Sequence, residues 1–252
     1  LSVQFDYPYL GRDSGLSREL VAAYQPSSPQ VEELRALRSQ LMLRWFSTAP
    51  ERKGLAVCSA GRGEGRSYLA ANLAIVFSQL GERTLLIDAD LRRPSVHRRF
   101  GLSNDRGLTD LLTSGDAVES AIQPTPQENL YVIASGPIPP SPTELVSSPR
   151  MEQVVQELAR AYDVVVIDSP PILGLADAPA LSALADGVVF VVESDRSRRG
   201  SLKTALRRLR SMHTLVLGAV LTKFDATSTG NRYSEYYGYQ YYTYEQSERE
   251  RD

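Results

Sequence analysis

The chain has 252 residues, enough for a single large domain to bury a sizeable core without staples. One cysteine, Cys58, and two histidines, His97 and His213, argue against a disulfide framework within the chain and against a thiolate- or histidine-built metal centre. With 28 basic and 30 acidic residues the formal net charge is -2, so there is no global electrostatic reason to expect nucleic acid as a partner.

Residues 1–28 read as a flexible lead-in, with Pro8, Gly11, Gly15 and Pro26 among polar residues. Ser28 followed by Pro29 is a favoured helix start. Val31, Leu34, Leu37, Leu41 and Trp45 recur at spacings of three and four, which predicts an amphipathic helix over 29–47, stopped by Pro50. From there short apolar runs predict strands at Leu55–Cys58, Thr84–Ile87, Leu130–Ile133, Val164–Ile167, Val188–Val192 and Val216–Leu221. Helical patterns over Tyr68–Leu80, Glu144–Ala161 and Ser201–Met212 lie between them. The expected fold is α/β, a mostly parallel sheet flanked by helices, over residues 29–222. No apolar stretch approaches the ~20 residues that span a bilayer, and no signal-peptide pattern opens the chain, so a cytoplasmic protein is expected. Residues 223–252 carry almost no aliphatic side chains but seven tyrosines, Tyr233, Tyr236, Tyr237, Tyr239, Tyr241, Tyr242 and Tyr244, and read as a flexible tail.

The first predicted strand runs into Ala60-Gly61-Arg62-Gly63-Glu64-Gly65-Arg66-Ser67, and a helix begins at Tyr68. Strand, glycine-rich turn and helix form the context of a phosphate-binding loop, whose backbone N–H groups and helix N-terminus attract anions. Ser67 stands where such loops place a magnesium-ligating hydroxyl, and Arg66 stands where they place a lysine. Two further strands end in carboxylates: Asp88 and Asp90 close the run Leu85-Leu86-Ile87, and Asp168 closes Val165-Val166-Ile167. Ligands of open α/β sheets bind beyond the carboxyl ends of the strands. Aspartates there suit a hydrated Mg²⁺ bridging nucleotide phosphates, although any one of them alone would read as a turn or cap.

Other residues have plainer readings. Cys58 fits a small core position, His97 the surface, and Arg196, Arg198 and Arg199 a solvated loop. Glu32, Arg35 and Arg38 form a charged stripe beside the apolar face of the first helix, by spacing alone a solvated face. Thr222-Lys223-Phe224-Asp225 resembles the guanine-reading tetrapeptide of GTPases, a pattern short enough to arise by chance.

Taken in this order, the glycine loop, Asp88-x-Asp90-x-Arg92, Asp168-Ser-Pro-Pro171, Gly136-Pro-Ile-Pro-Pro-Ser-Pro-Thr-Glu-Leu145 and the tyrosine-rich tail resemble the bacterial tyrosine kinases of the exopolysaccharide type, in particular an EpsG-like branch. That resemblance implies a P-loop NTPase-like fold related to the MinD and ParA ATPases, and an ATP- and Mg²⁺-dependent protein-tyrosine autokinase. It implies nucleotide binding by Gly61 to Tyr68, metal-linked roles for Ser67, Asp90 and Asp168, a phosphate clamp at Arg66, and Asp88 as the group that positions the tyrosine hydroxyl. It further implies a ring-shaped homo-oligomer built through Glu32, Arg35 and Arg38, and phosphorylation of the tail tyrosines in trans. The partner it implies is the cytoplasmic segment of a chain-length-determinant membrane protein, which would hold the kinase at the inner face of the plasma membrane and couple it to polysaccharide export. The alternative is a nucleotide-binding assembly switch or pseudokinase without efficient tyrosine phosphorylation.

Overall fold

The computed structural model describes residues 10–11, 14–174 and 177–224. The strands are β1 (Gly54–Ser59), β2 (Thr84–Asp88), β3 (Ile122–Pro124), β4 (Leu130–Ile133), β5 (Val164–Asp168), β6 (Gly187–Glu193) and β7 (Val216–Thr222). They form one sheet in the order β3-β4-β2-β5-β1-β6-β7, parallel throughout except for the antiparallel β3–β4 pair. The central strands are buried on both faces, which is why they read as continuous apolar runs. Their side chains alternate between two cores: Leu55, Val57, Leu86, Val164 and Val166 face one layer, and Ala56, Cys58, Leu85, Val165 and Ile167 face the other.

The first layer is α3 (Arg66–Ser78) with α1 (Val21–Tyr24), α2 (Pro29–Arg44) and α4 (Val96–Phe100) around it. The second contains α5 (Leu108–Thr113), α6 (Pro142–Val146), α7 (Pro149–Ala161), α8 (Asp177–Leu184) and α9 (Arg199–Ser211). Small residues in α3, among them Ala70, Ala71 and Ala74, are fully buried between the sheet and the outer helices.

Several expectations need correction. The described part of residues 1–28 is not a flexible lead-in. Leu20, Ala22 and Ala23 are fully buried, and Asn72 of α3 accepts from the Ala22 amide at 3.0 Å and donates to the Glu19 carbonyl at 3.0 Å. The first helix starts as expected, with Ser28 capping Val31, but ends at Arg44; a 3₁₀ turn, Phe46–Thr48, follows. Nor is its inner face simply apolar. Arg35 and Arg38 lie buried beside Val31, Leu34 and Leu41, so charge and hydrophobicity share one side. The segment expected as one helix over 144–161 is two, because Pro149 cannot donate to a continuing helix and Ser148 caps the second. The short edge strand β3 escaped notice because it has three residues and ends in a proline. The tyrosine tail lies outside the described residues, apart from Lys223 and Phe224.

Candidate functional site

The loop between β1 and α3 sits at the carboxyl end of the sheet, between the ends of β5 and β6. Gly63 and Gly65 adopt left-handed backbone angles, φ +75° and +95°, where a side chain would be strained. A Cβ on Gly65 would also meet Thr222 at 3.4 Å. Gly61 has no such angle. Gly65 is the N-cap of α3 and brings no capping side chain, so the first amides of a long buried helix are open to an anion.

Distant residues hold the loop in shape. The Glu64 carboxylate folds back and accepts from the Gly61 amide at 2.6 Å and from the Ser197 hydroxyl. Thr222 donates its hydroxyl to the Glu64 carbonyl at 2.7 Å. Lys223 donates to the Gly63 carbonyl at 2.9 Å and pairs with Glu193 at 2.9 Å, while Arg196 reaches the other oxygen of Glu193 at 3.4 Å. Sequence reasoning missed Glu193 and Ser197 as loop supports, since neither lies near the loop along the chain.

Arg66 points beneath the loop and is buried. Its Nε donates to the Ser169 carbonyl at 2.9 Å, and its Nη1 to Ser59 Oγ and the Gly61 carbonyl, both at 2.6 Å. Its Nη2 lies 3.8 Å from Asp90. The guanidinium therefore braces the loop with one edge and turns the other to the cleft, a division of labour that its planar fork allows.

The aspartates meet because β2 and β5 are neighbours in register, with Asp88 opposite Asp168. Asp88 is completely buried, and its oxygens accept from the amides of Ser95 and Val96 at 2.9 Å and of Asp90 at 3.3 Å. Backbone amides thus occupy Oδ2 fully and Oδ1 in part. Burial, with the Asp168 charge adding to it, pushes Asp88 up to about 7 against the pull of those amides. Asp168 is pushed up to about 6 by burial, opposed chiefly by the Arg66 charge and the nearby Ser67 hydroxyl. Both Asp168 oxygens are buried without a hydrogen bond of ordinary geometry among the described residues. A buried carboxylate left without donors is what a cation site looks like before it is filled. The residues present therefore fit a divalent cation, with Ser67 and Asp90 completing the set.

Asp90 lines a cleft of about 180 Å³ together with Arg62, Gly63, Arg66, Ser67, Arg92, Arg93 and Pro171. Arg92 anchors one wall: it pairs with the buried Asp177 of α8 at 2.7 Å and donates to Thr143 at 2.9 Å. This joins the Asp88-x-Asp90-x-Arg92 turn to the Ser141-Pro-Thr-Glu-Leu145 segment. Changing Arg92 to Ala should cost about 1–3 kcal/mol in urea unfolding, since the buried Asp177 loses its cation and keeps only the Thr143 hydroxyl. The double change with Asp177→Ala should recover part of that loss; a fully additive double variant would show that the two are not coupled.

The remaining candidates separate clearly. Tyr68 sits in the first turn of α3, its phenol pushed up by burial with the Glu19 charge adding. Cys58 is a core residue between Ser169 and Ser182, its thiol raised by burial. Glu32, Arg35 and Arg38 do not reach the cleft. Arg35 donates to the Pro26 carbonyl at 2.7 Å and to Glu32, and Arg38 donates to the Val76 carbonyl at 2.8 Å, fastening α2 to α3. Arg198 and Arg199 are exposed. The seven tail tyrosines and Asp225 lie outside the described residues.

Comparison with known proteins bears on this geometry. The AAA domain family matches residues 53–216. The tyrosine-protein kinase YwqD of Bacillus subtilis is 39% identical over 92% of this chain and 94% of its own. The crystal structure of the chimerical protein CapA2B2 superposes with a TM-score of 0.76 at 35% identity, covering 86% of this chain and 95% of that one. The kinase domain of the Escherichia coli tyrosine kinase ETK superposes with a TM-score of 0.77 at 28% identity, covering 88% of each.

Proposed function

Because the chain belongs to the bacterial tyrosine-protein kinases, we propose that it transfers the γ-phosphoryl group of ATP to tyrosines of its own C-terminal segment and of neighbouring copies. The observation that carries this reading is the juxtaposition, at one cleft, of open α3 amides, the Ser67 hydroxyl, Arg66 and Asp90, with the buried Asp168 carboxylate next to Ser67 and Arg66. Loop amides from Gly63 to Ser67 and the free edge of Arg66 hold the phosphates, with Arg62 at the rim. Ser67, Asp90 and Asp168 would hold Mg²⁺, which would supply charge neutralisation to the nucleotide phosphates when bound. Asp90, which faces the cleft, takes over from Asp88 the task of orienting the incoming hydroxyl. Asp88 instead shapes the turn into α4. Little covalent chemistry is left to the protein in a loose phosphoryl transfer, so positioning does most of the work.

Assembly and location belong to the same proposal. Copies form a ring through α2, where the Glu32 side chain is more than half exposed, while Arg35 and Arg38 keep the helix seated for that contact. The cytoplasmic segment of a chain-length-determinant membrane protein recruits the ring to the inner face of the plasma membrane, where it controls exopolysaccharide polymerisation and export. Among the described residues no helix is long and apolar enough to cross a membrane. A second reading, a nucleotide-binding switch with little turnover, draws support from the Arg66 edge committed to the loop rather than to the cleft.

Immunoblotting for phosphotyrosine separates the two. Purified protein with ATP and Mg²⁺ should gain signal that disappears when all seven tail tyrosines are changed to Phe. Nucleotide binding without any phosphotyrosine would sink the kinase reading in favour of the switch.

A further inference from the structure

From Arg196 to Phe224 the chain carries eight Lys and Arg residues and no Asp or Glu. On α9, Arg199, Lys203, Arg207 and Arg210 follow one another at i, i+4, i+8 and i+11, so they fall within about 80° of one another around the helix. They form a stripe about 16 Å long, and all four are exposed. Among the described residues Glu193 pairs with Arg196 and Lys223, the exposed Asp195 accepts only from the Ser194 hydroxyl at 3.2 Å, and no ion pair reaches the stripe. Arg208 lies on the opposite flank, where it donates to the Ile172 carbonyl at 3.1 Å. The stripe is therefore turned away from the segment that leads into α8.

Such a helix is electrostatically frustrated in isolation. Like charges at i, i+4 repel, the first turn contains no acidic residue, and Arg198 sits at the N-cap, where the helix dipole disfavours a cation. An anionic occupant would relieve all three.

The chain itself supplies one at the right place. Glu193 and Thr222 are partners in the β6–β7 register, and the Ser194 amide donates to the Thr222 carbonyl at 3.0 Å. The chain thus leaves the sheet beside the residues that lead into α9. Its remaining residues, 225–252, include six acidic and three basic side chains and the seven tyrosines. The first tyrosine lies 11 residues beyond Thr222, and 11 extended residues reach up to ~36 Å, more than the length of the stripe.

We propose that the phosphorylated tail of this chain folds back in cis along the Arg199–Lys203–Arg207–Arg210 stripe of α9. The inference rests on the autokinase reading for the origin of the phosphates. Each phosphate brings about 1.5 to 2 negative charges and oxygens that an arginine fork grips with two parallel hydrogen bonds. A tail held in this way is withdrawn from the clefts of neighbouring copies, so reacted chains stop competing with unreacted ones. An anionic lipid surface is the other chemistry a basic helix can serve. The observations favour the tail, because Ala205 and Leu209 on the apolar face of α9 are buried in the core and cannot insert into a bilayer.

The test supplies the phosphates ready-made, so it does not depend on kinase activity. A labelled peptide of residues 225–252, phosphorylated on the seven tyrosines, is titrated by fluorescence anisotropy with the full chain carrying the seven Tyr→Phe changes. The phosphopeptide should bind at least tenfold more tightly than its unphosphorylated form. The triple change Lys203→Glu, Arg207→Glu, Arg210→Glu should weaken it at least tenfold, and Arg52→Glu, on the far side of the sheet, should not. Equal affinity for both peptides overturns the proposal even if the triple variant fails to fold. So does a folded triple variant that binds the phosphopeptide as before, or one that loses only binding to phosphatidylglycerol vesicles. For the cis arrangement, full chain assembled by ligation with the phosphorylated tail should bind the free phosphopeptide at least tenfold more weakly than the Tyr→Phe chain; unchanged affinity would exclude self-docking. Failure in any arm leaves the kinase reading intact, because that reading stands or falls on the immunoblot.

Discussion

Asp168→Asn is expected to reduce phosphotyrosine formation by about 10²–10³-fold, the range typical of removing one preorganised electrostatic contact at a reacting centre. The side chain keeps its volume, so the packing of β5 against β1 and β2 should survive. The same change should make the ligand-free protein more stable at pH 8. Burial raises the Asp168 pKa in the folded state to about 6, above its ordinary value, so the folded state binds the proton more tightly than the unfolded chain. Stability is therefore highest below about pH 4 for this group, falls as pH rises towards about 6, and stays low above it. Asparagine has no charge to bury and escapes that loss. Thermal unfolding should place Asp168→Asn a few degrees above the parent at pH 8, with the gap closing at pH 4–5. Adding Mg²⁺ and nucleotide should raise the midpoint of the parent much more than that of the variant. Undiminished kinase activity together with an unchanged midpoint at pH 8 would reduce Asp168 to a turn residue.

The second large effect concerns Arg66. Arg66→Ala should weaken Mg²⁺–nucleotide binding about 100-fold, about 2.7 kcal/mol at 1.36 per tenfold. Two losses combine in it: the donors to Ser59, the Gly61 carbonyl and the Ser169 carbonyl that shape the loop, and the charge that holds Asp168 towards ionisation. Arg66→Lys separates them. Lysine keeps the charge but cannot span the same acceptors, so affinity should fall less than with alanine while the unfolding midpoint still drops. Calorimetric titration with ADP and Mg²⁺ reads the first quantity and thermal unfolding the second. Identical nucleotide affinity in the parent and Arg66→Ala would take Arg66 out of the binding site.

Much of the site was legible because its signals are local. A strand, a glycine turn and a helix start are contiguous, and Asp88, Asp90 and Asp168 each close an apolar run of strand length. What escaped was every support that comes from far along the chain. Glu193 and Ser197 carry no local signal until β6 brings them to the loop, and Lys223, read by its tetrapeptide, serves instead to hold the Gly63 carbonyl. Asp177 carries no sequence signal, yet it anchors Arg92 from 85 positions away. Asn72 sits in a helix of apolar neighbours and gave no hint that it ties down the chain N-terminal to α2.

The sequence by itself determined the elements and their chemistry: buried β-branched runs form strands that need helices on both faces, and a phosphate loop needs glycine where the backbone turns left-handed. Orientation was decided only by the tertiary structure. The spacing of Glu32, Arg35 and Arg38 set them on one side of α2, but the fold buries the two arginines, Arg35 donating to the Pro26 carbonyl and Arg38 to the Val76 carbonyl of α3. Asp88 and Asp168 carry the same group at the same kind of strand end. Asp88 met the amides that open α4, whereas Asp168 faces the Arg66 charge and the Ser67 hydroxyl with no backbone amide on its carboxylate. A carboxylate's role depends on what surrounds it within a few ångströms, and that neighbourhood is assembled from strands and helices that lie far apart in the chain.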